Sequence, residues 1–334
     1  MVTQRFNVLS LSGGGFLGLY SICILVEIEK KWKKPIGRSC ELLAGTSVGG
    51  IVALGLAAEI PAQDILSAFE KEGKDIFSNR PKPTGFIQTS LDVMRSLFTS
   101  KYNQINLRRV VSSLIGEETL IGDLKHPILI PTVNLTKGGP QVFRTPHHPS
   151  LERDLHLKAI DVAMATSAAP TYFPLHEIDD CLYADGGLYA NSPDTQAVHE
   201  AEYFMDANPD EIHLLSIGTT TSKFSFSHKI KRDIGAIGWM REQRLVKTMI
   251  ASQQHLTNHL MKHKYGERYM RLDEIPSKEQ GADLALDVAD DATIKTLRGL
   301  ANGTVQNVIG QDFINSFFEH NATEPKFFHL NTME

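Results

Sequence analysis

Cysteine is scarce in this 334-residue chain: Cys23, Cys40 and Cys181 are all there is. An odd number without metal-ligand spacing suits a reducing compartment better than a disulfide framework. Apolar runs are short. Ile51 to Ala58, among the longest, falls far below the ~20 residues a membrane-spanning helix needs. Met1 to Ser10 carries neither the basic nor the apolar region of a secretory signal. A cytoplasmic protein is therefore expected, one that meets any lipid from the water side. Cations are not in excess either: 34 Lys and Arg face 39 Asp and Glu, a net charge of −5. That argues against a nucleic-acid polymer as partner.

What remains is an ordinary globular composition, 42% hydrophobic and 22% charged, long enough to bury a large core. The first sixty residues set the fold class. Phe6 to Ser12 reads as a strand, Gly13-Gly14-Gly15 as a turn, and 16–33 as a helix with Leu19, Ile22, Val26 and Ile28 at helical spacing. Leu42 to Ala44 is a second strand and Val48 to Ala58 a buried helix. This alternation predicts an α/β fold with a mainly parallel sheet. Further strands are expected at His126 to Val133, Gln141 to Arg144 and Ile212 to Ile217, and one long helical stretch from Lys229 to Met270.

Ser47 stands in Gly45-Thr46-Ser47-Val48-Gly49, a G-x-S-x-G pattern between a strand and a helix. A nucleophile on such an elbow sits in a cramped, strained turn, which is why its neighbours are small. An activated serine also needs donors for an oxyanion. Gly13, Gly14 and Gly15 end a strand and open a helix, so their backbone N–H groups are candidates for that role. A rival reading is a dinucleotide fingerprint, since Gly13, Gly15 and Gly18 fit G-x-G-x-x-G. The second strand then ought to end in an acidic residue; it ends in the serine elbow instead.

The base is open between histidine, of which there are thirteen, and Asp185. Asp185 follows the apolar Leu182-Tyr183-Ala184 and precedes Gly186-Gly187, which places a carboxylate at a strand end beside a sharp turn. His255, His259 and His263 share one helical face but lack the H-E-x-x-H glutamate of a zinc site. No metal is expected. A non-catalytic lipid- or nucleotide-binding module on the same fold is a further alternative, weakened by the intact serine, aspartate and glycines.

Together these motifs resemble the patatin-like phospholipases. The glycine turn through Gly18, the elbow and Asp185-Gly186-Gly187 are joined by Ala165-Thr-Ser-Ala-Ala-Pro-Thr-Tyr-Phe-Pro174 and Tyr189-Ala-Asn-Ser-Pro193. Order and spacing match over roughly residues 6–220. The resemblance implies a three-layer α/β fold, a Ser47–Asp185 dyad without histidine and an oxyanion hole from Gly13 to Gly15. It also implies no metal or cofactor, and ester cleavage in membrane glycerolipids. Gly18, Gly45, Gly49, Gly186 and Gly187 support the motifs. Leu17 is a departure: the family often carries Arg or Lys there, so no head-group preference is carried over. The expected division is a catalytic core at 1–225 and a mainly helical part at 226–334 packed on it.

Within the family the compact N-terminus and the Ser10-Leu-Ser-Gly-Gly-Gly opening look most like bacterial patatin-like effectors, some of which are switched on by cyclic oligonucleotides in anti-phage defence. The basic, aromatic stretch from Phe224 to Trp239 and the helix after it offer cations for phosphates and rings for bases. Lys229, Arg232 and Arg244 are the candidate contacts for a cyclic di- or trinucleotide activator. Activation coupled to a change in homo-oligomer or lid position is expected, with peripheral contact to the membrane.

Overall fold

The structure, a computed structural model, describes residues 5–77, 100–220, 224–226, 228, 230, 232–240 and 244–328. Most of the Pro-, Gly- and Ser-containing stretch after Phe77, and Lys229, lie outside the described residues. Strands β1 (Phe6–Leu11) and β2 (Leu42–Gly45) pair in parallel, as their apolar runs require when both sheet faces are covered. β3 (Ile128–Asn134) continues the parallel set and folds back on β4 (Gly139–Arg144). β5 (His176–Ile178) and β6 (Cys181–Asp185) form one flank; β7 (Ile212–Ile217) and β8 (Tyr269–Leu272) form the other. The order is β5-β6-β3-β2-β1-β7-β8, with β4 on the remaining edge of β3.

Alternation along the strands divides the core. Leu9, Leu11 and Leu43 join the apolar cluster built with helices Leu19–Trp32 and Val48–Ala57. Val8, Leu42 and Leu214 face a second cluster with helices Asp194–Phe204 and Arg244–Tyr265. Helices on both faces of one mostly parallel sheet make three layers.

Two features differ from the sequence reading. The stretch from Lys229 to Met270 is not one helix: a short helix Gly235–Met240 precedes Arg244–Tyr265, and Met270 lies in β8. Gly266, at φ 54°, supplies the left-handed turn that stops the longer helix. The C-terminal part is also more than helices on a finished core, since β8 completes the sheet beside β7. Helix Asp291–Val308 packs on Leu19–Trp32, where Tyr20 and Thr304 share a buried hydrogen bond of 2.8 Å. Lys31 and Lys34, at the end of that first helix, bond Ile309 O and His320 O, so they anchor the C-terminal helices.

One detail of the sheet positions the site. β2 pairs with Ile128 and Leu129 of β3, whereas β6, running the other way, pairs with Thr132 to Asn134. The two strands thus approach each other along β3 and leave a gap at Pro131. A proline is tolerated there because no neighbouring strand requires its N–H. Its carbonyl instead accepts from Thr166 Oγ1 at 2.7 Å.

Candidate active site

The gap is where the ends of β2 and β6 deliver their polar residues. Ser47 has φ 55° and ψ −126°, a strained conformation for a residue with a side chain. Its amide donates to Thr166 Oγ1 at 3.0 Å, and Thr46 Oγ1 donates to Ala190 O at 2.6 Å. The elbow is thereby held from both sides. Gly49 lets the following helix press on β1: a Cβ there would stand 2.3 Å from Leu11 O. Gly45 and Gly18 are equally crowded, against Gly49 O and Val48.

Asp185 ends β6, 6% exposed, and its Oδ2 accepts from Ser47 Oγ at 2.7 Å. Its Oδ1 accepts from the Gly187 amide, also at 2.7 Å. Gly186 makes the turn possible, because a Cβ would sit 2.2 Å from Pro131 O. Burial pushes the Asp185 pKa up to about 6, against the opposing effect of the Ser47 and Gly187 hydrogen bonds. A carboxylate that is ordinarily a weak base is thus brought close to neutrality. Among the described residues, none that lines the cavity around it is a histidine. His126 pairs with Glu59, His147 with Glu200 and His176 with Asp161, while His255, His259 and His263 are exposed on their helix.

The three glycines divide. The Gly13 amide donates to Asn191 O at 2.9 Å, so it is engaged within the protein. The amides of Gly14 and Gly15 have no acceptor among the described residues, and both glycines line the cavity with Ser47. Gly15 has φ 56°, and a Cβ there would stand 2.3 Å from Leu286 O, which accepts from the Phe16 amide. Sequence reasoning gave no individual role to Thr166, Asn191 or Thr219. Asn191 Nδ2 and Thr219 Oγ1 both donate to Gly13 O, at 3.1 and 2.9 Å, and fix the turn. The signal for two of them was present, as Thr166 and Asn191 fall inside motifs that carried the family resemblance.

The cavity has a volume of about 650 Å³ and a largely apolar wall that includes Leu17, Phe69, Phe77, Tyr172 and Phe173. Leu17 is 4% exposed, an apolar part of that wall. Lys101, Lys247 and Lys278 also line it, and Lys101 pairs with Asp287 at 2.5 Å. Helix Arg244–Tyr265 supplies Val246, Met249 and Ile250, and its Gln253 Nε2 donates to Leu188 O at 2.8 Å in the turn after Asp185.

Of the candidate effector contacts, Arg232 is exposed before the short helix Gly235–Met240. Arg244 lies at the start of the long helix, its guanidinium 6.0 Å from the Phe226 ring centre. Phe226 in turn meets Phe224 and Trp239 edge-on. Among the described residues no helix is long and apolar enough to cross a membrane.

Known proteins resemble this chain over most of its length. The family profile described as patatin-like phospholipase matches residues 9–198, a span that holds Gly13 to Gly15, Ser47 and Asp185. A cGAMP-activated phospholipase of Pseudomonas aeruginosa is 37% identical over 326 residues, covering 97% of this chain and 95% of that protein. One of Escherichia coli is 37% identical, covering 94% and 93%, and one of Vibrio cholerae 36% identical, covering 88% of each. A match of this extent, with serine, aspartate and glycine turn assembled in one cavity, means that the chain belongs to the patatin-like phospholipase family.

Proposed function

We propose that this protein hydrolyses ester bonds of membrane glycerolipids by acyl transfer to Ser47, with Asp185 as base, and that a cyclic nucleotide switches it on. The observation that carries the chemistry is the 2.7 Å hydrogen bond from Ser47 Oγ to Asp185 Oδ2 at an apolar cavity. As Ser47 attacks the ester carbonyl, Asp185 takes its proton and the Gly14 and Gly15 amides receive the oxyanion. The proton then passes to the departing lipid alcohol. Water, deprotonated by the same carboxylate, attacks the acyl-enzyme, and Ser47 recovers its proton as the fatty acid leaves. The apolar wall accommodates acyl chains. Exposed Leu245 and Met249, on the helix that forms part of the cavity wall, suit insertion into a membrane surface.

The relatives' names carry the regulatory half: three proteins aligned over most of this chain, its C-terminal part included, are cGAMP-activated phospholipases. In this reading Arg232 and Arg244 contact the phosphates of a cyclic dinucleotide, and Phe226 and Trp239 offer rings to its bases. The path to the site is short, because the helix that begins at Arg244 also forms cavity wall and bonds the turn after Asp185. About hundredfold activation requires about 2.7 kcal/mol of tighter binding to the active state. Such a device fits bacterial anti-phage defence, in which an infection signal licenses attack on the cell's own membrane. The test is lipid turnover with and without cGAMP, alongside light scattering for a change of oligomer. Full activity without ligand, unaltered by a panel of cyclic di- and trinucleotides, removes the regulatory half and leaves the hydrolase.

A further inference from the structure

Arg271 takes no part in the chemistry above and lies outside the span matched by the family profile. It sits on β8 with its side chain 10% exposed. Its Nη1 is 2.9 Å from Ser12 Oγ, 3.0 Å from Ser192 Oγ and 2.7 Å from Ser216 Oγ. Nη2 donates to Asp273 Oδ2 at 2.7 Å.

Each acceptor belongs to a segment that shapes the oxyanion turn. Ser12 immediately precedes Gly13 and shares a hydrogen bond of 2.7 Å with Ser192. Ser192 follows Asn191, whose carbonyl and side chain grip Gly13 from both directions. Ser216 lies on β7, three residues before Thr219, the other residue that holds the Gly13 carbonyl. Asp273 accepts from the Thr220 amide at 2.9 Å and presses on Gly218, where a Cβ would meet its carboxyl carbon at 2.1 Å. One planar guanidinium therefore joins the segments that end β1, follow Asp185 and end β7.

We infer that Arg271 is a positioning residue: from the C-terminal part of the chain it sets the register of these segments so that the Gly14 and Gly15 amides face the developing oxyanion. The inference rests on the reading of Ser47 as nucleophile and of those amides as donors. The competing role is a staple that fastens β8 to the sheet. A staple would alter how much enzyme is folded, not how fast each folded site turns over.

The planar fork is what the site uses, so lysine is not an equivalent. Arg271→Lys keeps the charge but cannot reach all three hydroxyls and Asp273 with one nitrogen. Ser192→Ala removes one acceptor and leaves the ion pair. Both variants are assayed on a water-soluble p-nitrophenyl ester, with active sites counted by exhaustive fluorophosphonate labelling. Arg271→Lys is expected to lower kcat per labelled site on the order of 10²-fold, the cost of misplaced oxyanion donors, with KM within about twofold. Ser192→Ala moves the same way, by about tenfold. Wild-type kcat per labelled site in either folded variant overturns the inference, as does a loss that only follows the labelled fraction. If Arg271→Lys does not fold, Ser192→Ala decides by the same criterion. Ser47→Ala, run in parallel, separates the two levels: if it retains turnover, the nucleophile reading has failed and not the role of Arg271.

Discussion

Ser47 Oγ donates directly to Asp185 Oδ2 at 2.7 Å, and the other oxygen of that carboxylate accepts from the Gly187 amide. Between them these two bonds orient the carboxylate, and no histidine among the described residues of the cavity wall takes part. The basicity of the pair therefore rests on the environment of one buried carboxylate.

The first consequence is a pH profile. As the proposed base Asp185 acts only when ionised, and burial places its pKa at about 6. kcat/KM is expected to rise with a single proton loss centred near that value and then level off. An imidazole would titrate in a similar range, so the profile should be repeated in an organic cosolvent. A carboxyl limb moves to higher pH as the dielectric falls, because ionisation creates charge; an imidazolium limb stays nearly still. A limb that does not move contradicts the dyad.

Asp185→Asn is expected to lower kcat at least ~10²-fold, since the amide keeps the shape but cannot take the proton. The same change should stabilise the fold. An unfolded aspartate titrates near ~4, whereas the folded one titrates at about 6. The folded state thus holds its proton more tightly, and stability drains away as pH rises through that window. At pH 8 the full cost is present, on the order of 1–3 kcal/mol, and asparagine removes it. Thermal melts should show the variant more stable at pH 8 and no different below pH ~4. Equal Tm at pH 8, or a gain that persists in acid, contradicts the desolvated carboxylate.

The glycine turn gives a contrast. A Cβ on Gly14 would stand 2.2 Å from Thr219 Oγ1, the hydroxyl that holds the turn. Gly14→Ala should therefore lower kcat on the order of 10²-fold, like the loss of one oxyanion donor. Gly299 and Gly303 lie mid-helix in Asp291–Val308 with nothing within 4 Å of an added Cβ. Alanine at either should leave kcat alone and add up to about 1 kcal/mol of stability in denaturant melts. A Gly14→Ala enzyme with wild-type kcat would remove the turn from the mechanism.

How much of this could be read from the sequence depended on how local each signal was. Ser47 and Asp185 were legible because each sits where an apolar strand meets small turn residues. Their meeting depends on β2 and β6 converging on β3, which no local pattern records. The glycine triplet was legible as a turn, but which amide faces outward is a matter of peptide orientation, and Gly13 is spent on Asn191. Arg271 gave no signal at all: in sequence it is one cation in a stretch of mixed character, and only the sheet brings Ser12, Ser192 and Ser216 to it. The break in the helix expected from Lys229 to Met270 was hidden because the glycine that ends it, Gly266, acts through its backbone dihedral.

Regulation predicts a separate pair of variants. Arg232→Ala and Arg244→Ala should each raise the cGAMP concentration for half-maximal activation about tenfold, the loss of one charge-assisted contact at about 1.4 kcal/mol. Superimposable activation curves for both would remove these residues from the effector site.

The proposed chemistry is cleavage of lipid esters through Ser47. Its most direct test is mass spectrometry of vesicles of phosphatidylethanolamine and phosphatidylglycerol incubated with the protein, with and without cGAMP, for wild type and Ser47→Ala. Free fatty acid and lysophospholipid are expected from the wild type, increased by cGAMP, with neither product above background from Ser47→Ala. Intact lipid under every wild-type condition, or equal release by Ser47→Ala, would contradict that chemistry.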